Sequence, residues 1–335
     1  MSQRTKYILL AILLIAMFLA NIFFGAVRIA PGEIIDIFTG YGTQRESAVI
    51  VLYSRLPQSC VALLAGAALA VSGLMLQTFF ANPLADASIM GIHSGAGLGA
   101  AIVLMALGSV SAWGISGYLL VILASLSGAV AVILLLLAIY QKIRNNVLLL
   151  IMGLMMSYII SSVISLLSYI ATADNLQAFF MWGMGSFGNV SLSQLPVFTG
   201  SIVVCLLASL TLVKPLNAML MGEHYAQNAG MSLKWIRTAI LLTVGMLSAI
   251  VVSFCGPITF IGLAVPHITR MFFKTNNHLT LMPATMLTGA VMALVCNFLT
   301  TFVSSAMLIP INVVTPFVGV PVIFYVLWKK PLYRQ

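Results

Sequence analysis

The chain has 335 residues, of which 61% are hydrophobic and only 6% charged, with 15 lysines and arginines against 6 acidic residues. A water-soluble globular chain carries about 25% charged residues, because they cover its surface. This composition cannot do that, so a soluble enzyme, a disordered chain and a secreted disulfide scaffold are excluded, and an integral membrane protein remains.

A helix needs about 20 mostly apolar residues to cross the bilayer core, and charge-free stretches of that length or longer fill the chain. Where a stretch exceeds one crossing, glycine, proline, asparagine and serine mark the turn. The reading is ten helices, near 7–27, 56–80, 88–107, 115–140, 147–170, 195–213, 237–254, 258–271, 280–304 and 312–328, the third and eighth being the least sharply bounded. Arg4 and Lys6 precede the first apolar run as in a signal peptide. That run exceeds the usual length of about 7–15 residues and no small-residue cleavage site follows it, so the segment is read as helix one. After it, Glu33 and Asp36, three residues apart, predict a short amphipathic surface helix.

Charge orients the bundle. With the N-terminus inside, Arg4, Lys6, Lys142, Arg144, Lys214, Lys234, Arg237, Arg270, Lys274, Lys329, Lys330 and Arg334 fall on the cytoplasmic side, and Arg28, Arg45 and Arg55 outside. This positive-inside bias predicts both termini in the cytoplasm and accounts for the net charge of +9 without nucleic-acid binding. No linker or composition break divides the chain, so residues 1–335 read as one transmembrane domain, with its largest internal polar interval at 214–237. Pro83 and Pro257 each precede a histidine, His93 and His267, by ten residues in a glycine-interrupted region, a faint internal repeat of the kind found in transport folds.

Catalytic constellations are missing. There is no glycine–lysine pair and hence no phosphate loop; no H-E-x-x-H; no G-x-S-x-G. Cys60, Cys205, Cys255 and Cys296 lie far apart in apolar surroundings, which supports neither a metal site nor a redox pair. The glycines at 95, 97 and 99 open a membrane helix instead of following a strand, so they are no dinucleotide turn. A membrane-bound enzyme therefore has little support. Ion-coupled transporters keep ionisable residues within their spans, and these spans hold essentially none. That disfavours an ion-coupled secondary transporter of a small organic solute and points to a permease whose energy comes from another chain.

Several runs occur in a telling order. Arg55-Leu56-Pro57 leads into a small-residue stretch at 66–73, which permits close helix approach, and then come Asn82-Pro83-Leu84-Ala85-Asp86, a helix stop and turn, and the run at 91–100. Further on stand the segments at 174–177 and 182–186, the run Met221-Gly222-Glu223-His224-Tyr225-Ala226 through Gly230, and Gly256-Pro257-Ile258 through Pro266-His267. Pro310 through Pro321, an aromatic helix and a basic tail close the chain. In order and spacing, from Arg55 to Lys330, these resemble the FecCD-type permeases of bacterial ABC importers for iron-siderophores, haem and cobalamin.

The resemblance implies an all-α integral membrane protein of the bacterial inner membrane, with ten helices per subunit in the inverted-repeat type II ABC importer fold. It implies a homodimer whose translocation path lies between subunits and is lined by helices five and ten. Two cytoplasmic P-loop ATPases, holding the ATP and magnesium, would dock on Met221, Gly222, Glu223, His224, Ala226 and Gly230; the chain itself would bind no cofactor or metal. A periplasmic binding protein would dock outside near Arg28, Arg45 and Arg55. Asn82, Pro83, Asp86, His93, Gly256, Pro257, Pro266 and His267 would form gates or structural turns. Gln58 stands where the family often has a second arginine, and Leu308 where it often has an acidic residue, so fewer ion pairs would hold the outer protein. His93 stands where the family has a small polar residue. It reads as a histidine hydrogen-bonded in the turn into its helix sooner than as a chelate ligand.

Overall fold

The structure, a computed structural model, describes residues 2–40, 45–106, 117–143, 145–302 and 309–329. The side chains of Arg45 and Glu223, with Arg144, Met307, Leu308, Lys330 and Arg334, lie outside the described set. Among the described residues the elements are helical: α1 (Gln3–Phe23), α2 (Pro31–Thr39), α3 (Arg45–Ile50), α4 (Leu56–Phe79), α5 (Ile92–Ala101), α6 (Gly117–Ile143), α7 (Asn146–Ile170), α8 (Ala173–Gly183), α9 (Leu195–Thr211), α10 (Val213–Leu220), α11 (Glu223–Asn228), α12 (Leu233–Cys255), α13 (Ile261–Phe273), α14 (His278–Phe302) and α15 (Ile311–Lys329). Wider π-type turns join α3 to α4 at Val51–Arg55 and extend α5 through Ile102–Ala106.

Six segments are long and apolar enough to span a bilayer: Gln3–Phe23, Glu46–Phe79, Tyr118–Lys142, Asn146–Ile170, Leu233–Cys255 and His278–Thr301. A seventh is the pair α9 and α10, bent by 47°. Three shorter apolar segments, Ile92–Ala106, Ile261–Phe273 and Ile311–Tyr325, complete the ten expected positions. The surface helix expected from Glu33 and Asp36 is α2.

Two sequence expectations need correction, and one helix was not anticipated. Helices three and eight begin at Ile92 and Ile261, not at 88 and 258, because each starts only after a residue in the left-handed region, Gly91 (φ +79°) and Phe260 (φ +69°). The stretch 195–213 continues past a bend at Leu212 into α10 instead of ending there. The segment after helix five holds a helix of its own, α8, capped by the Thr172 hydroxyl, which accepts from the Asn175 amide.

Helix α4 is the axis of the fold and is mostly buried. It touches α14 and α13 through main chain: a methyl at Gly66 would fall on the carbonyl of Gly289, and one at Gly73 on the carbonyl of Gly262. The same close approach recurs between α5 and α6 at Gly95, Gly99 and Gly128. Lipid tails supply no hydrophobic force between helices, so small residues that let backbones meet are the means of association.

Candidate functional site

One end of the bundle carries the turn after α4 together with α10, α11 and the start of α14. There Asn82 closes an Asx turn, its Oδ1 accepting from the Leu84 amide at 2.9 Å. The His267 ring, buried on α13, bonds through Nε2 to the Pro83 carbonyl at 2.9 Å. A carbonyl only accepts, so Nε2 carries the proton. Asp86 is buried against Gly262, with no room between them for a Cβ, and its Oδ2 accepts from the Ser88 hydroxyl at 2.8 Å. The two halves of the chain thus lock at Pro83–Asp86. His267 serves as a tie and not as a ligand.

His93 is different. It is the second residue of α5, and among the described residues neither of its buried ring nitrogens has a hydrogen-bond partner, so the turn does not hold it by the bond expected there. The equal spacing of the two proline–histidine pairs does not make them equivalent either, since His93 opens its helix whereas His267 lies midway along α13.

The segment 214–237 forms two short helices. Gly222 (φ +104°) opens α11 and Gly230 (φ +78°) follows it, both in conformations that favour glycine. Met221 is 71% exposed, and Tyr225, His224 and Gln227 are exposed too, so this is a presented surface. Ala226 is fully buried and anchors α11, which removes it from any surface a partner could touch. Lys214, Asn217, Gly222, Tyr225, Arg270 and His278 line part of a groove of about 1210 Å³ beside it.

The opposite end is held chiefly by asparagines that the sequence did not single out. The Asn312 side-chain amide donates to the carbonyls of Pro257 at 2.5 Å and Gly183 at 3.1 Å, while its oxygen accepts from the Thr259 amide at 3.3 Å. It thereby joins α8, the Gly256–Pro257 turn (Gly256 φ +76°) and the start of α15. Gln58 bonds to Asn297 at 2.9 Å, and Asn297 to Asn21 at 2.7 Å, a polar chain under a cavity of about 430 Å³ that Trp182, Ser186 and Thr300 also line.

Arg55, expected as a docking cation, is buried. It is 6% exposed, and its guanidinium donates to the carbonyls of Ile22 at 2.8 Å and Phe23 at 3.2 Å and to that of Val27. Gly25 leaves the space it occupies. A positive charge read from sequence as surface is instead the cap on the free carbonyls at the end of α1. Arg28 is exposed.

The model of the FecCD transport family matches residues 12–329. The chain belongs to the FecCD transport family. Among its relatives, the vitamin B12 import system permease protein BtuC of Shigella sonnei (strain Ss046) is 32% identical over 98% of this chain and 96% of its own length. BtuC of Escherichia coli (strain K12 / DH10B) is equally similar. A solved structure, described as an inward-facing conformation of a transporter of the metal-chelate ABC type, superposes with a TM-score of 0.85 at 27% identity, covering 98% of this chain and all of that one. The protein is a multi-pass FecCD-type ABC importer permease, as the order of its motifs implied. Among the described residues no group of histidine, cysteine, aspartate or glutamate is placed to hold a metal.

Proposed function

We propose that this FecCD permease admits a bulky metal chelate, a corrinoid of the vitamin B12 type, along a path between two copies of the chain. Both termini and α11 face the cytoplasm, where P-loop ATPases dock. A binding protein delivers the chelate at the opposite end, in the bacterial inner membrane. The observation that carries this reading is the face of α7. Only 17% of its span is buried, and what it leaves uncovered mixes Tyr158, Ser161, Ser162, Ser165 and Tyr169 with apolar side chains. Polar groups at that depth belong against a partner or a cavity and not against lipid. The hydroxyls of Ser162 and Ser165 donate to carbonyls one turn back, so the wall is polar without being charged and can pass a large solute without trapping it. The similarity to vitamin B12 permeases over 98% of the chain supports the corrinoid.

The experiment is complementation of a bacterial strain deleted for its own vitamin B12 permease, the chain being co-expressed with its partner ATPase. Labelled cyanocobalamin is followed beside a ferric siderophore and haem. ATP-dependent cyanocobalamin uptake is the expected result. Uptake of another chelate replaces the corrinoid, and uptake driven by an ion gradient without ATP overturns the importer.

A further inference from the structure

The start of α14 is joined to α10 and α4 by one side chain. His278 is buried. Its backbone amide donates to Asn217 Oδ1 at 2.8 Å, which fixes that atom as the oxygen. The ring Nδ1 lies 3.0 Å from the same oxygen and must therefore carry a proton and donate. In the neutral ring Nε2 is then an acceptor, and it faces at 2.9 Å the Thr78 hydroxyl of α4, whose one proton also has the Leu74 carbonyl within reach at 3.0 Å. Asn217 is held from its other side, its Nδ2 donating to Asn277 Oδ1 at 2.9 Å. One imidazole thus bridges α10 and α4 with directional bonds at the root of α14.

The rest of α10 is fastened to the same body, with Val213, Leu216 and Ala218 buried, and α11 packs against it. Beyond the joint, α4 and α14 meet through main chain at Gly66 and Gly289. We infer that the Asn217–His278–Thr78 bridge is the joint through which displacement of the coupling segment is passed to the α4–α14 body. His278 is its positioning residue. The inference rests on the proposed function, since an ATPase must move α11 for the joint to carry anything.

The test uses the full complex of permease, ATPase and binding protein in lipid, trapped with ATP and vanadate. Spin labels at the exposed positions Gln227 and Lys142 report whether α11 moves against α6, and labels at Gln227 and Leu279 report whether α14 follows it. In the unsubstituted protein, nucleotide changes the first distance by about 1–2 Å, the usual scale of helix shifts, and leaves the second fixed. In Asn217→Ala, which removes both bonds that His278 makes to α10, and in His278→Phe, which removes the ring's bond, the second distance changes as well. His278→Asn, which retains a donor toward Asn217, restores a fixed distance; a residue that merely stabilised the fold would give no such pattern. A second distance that changes in the unsubstituted protein, or stays fixed in both Asn217→Ala and His278→Phe, overturns the joint. A first distance that never changes overturns the importer reading, and the joint's role falls with it.

Discussion

Arg55→Met tests the reassignment of Arg55 from the surface to the frame. The guanidinium donates to three main-chain carbonyls, those of Ile22 and Phe23 at the end of α1 and that of Val27 in the turn beyond it. A hydrogen bond to a charged group is worth about 1.5–3 kcal/mol, and a buried acceptor left bare costs about 1–3 kcal/mol. The Val27 and Phe23 carbonyls lie near the end of the span, where water can replace part of what is lost. At the low end of these ranges the substitution costs about 3 kcal/mol in all, roughly a hundredfold in the folding equilibrium at about 1.4 kcal/mol per tenfold. Arg55→Lys recovers little, because an ammonium is one compact point charge and cannot span three acceptors as the planar fork does. The assay is unfolding of the purified permease in mixed micelles, followed by helix content, beside binding-protein affinity measured on the folded fraction. The reasoning predicts a large loss of stability with unchanged affinity. Wild-type stability with weakened engagement of the binding protein would refute it and return Arg55 to docking.

Gly66→Leu drives a side chain into the Gly289 carbonyl. Overpacking in a core that can adjust costs about 1–3 kcal/mol, and a main-chain neighbour adjusts less, so the substitution should leave little folded protein by size-exclusion chromatography. Gly222→Val places a branched residue at φ +104° on an otherwise open surface. Strain of about 1–3 kcal/mol distorts α11 without unfolding the bundle, so uptake per ATP hydrolysed should fall while the amount inserted in membranes is unchanged; normal coupling would remove 221–230 from the coupling role. Asn312→Ala breaks bonds to Pro257, Gly183 and Thr259 together, and should loosen the start of α15, read as faster amide exchange there than in α12.

The sequence carried the places of the apolar helices, the surface helix and the presented 221–230 segment, because each depends on a local pattern: charge-free length, paired acids, and glycines beside polar residues. It misplaced features that depend on where the chain goes next. Arg55 follows a stretch rich in charges, and nothing local reveals that the end of α1 and the turn after it will lay three carbonyls across it. Asn312 is one asparagine in a proline-flanked run, and its role exists only once α8 and the 256–260 turn arrive beside it. The starts of α5 and α13 shifted because a left-handed residue, not an apolar run, decides where each helix can begin. His93 keeps its misfit: the turn gives its ring no partner.

The main-chain contacts of α4 with α13 and α14 bear on stiffness. Two helices that meet through side chains can exchange rotamers and slide by small amounts. At Gly66–Gly289 and Gly73–Gly262 there are no rotamers to exchange. The three helices therefore make a low-compliance slab. Amides of α4 should be the last to exchange with solvent, because opening them means parting backbones and not merely swinging a side chain aside.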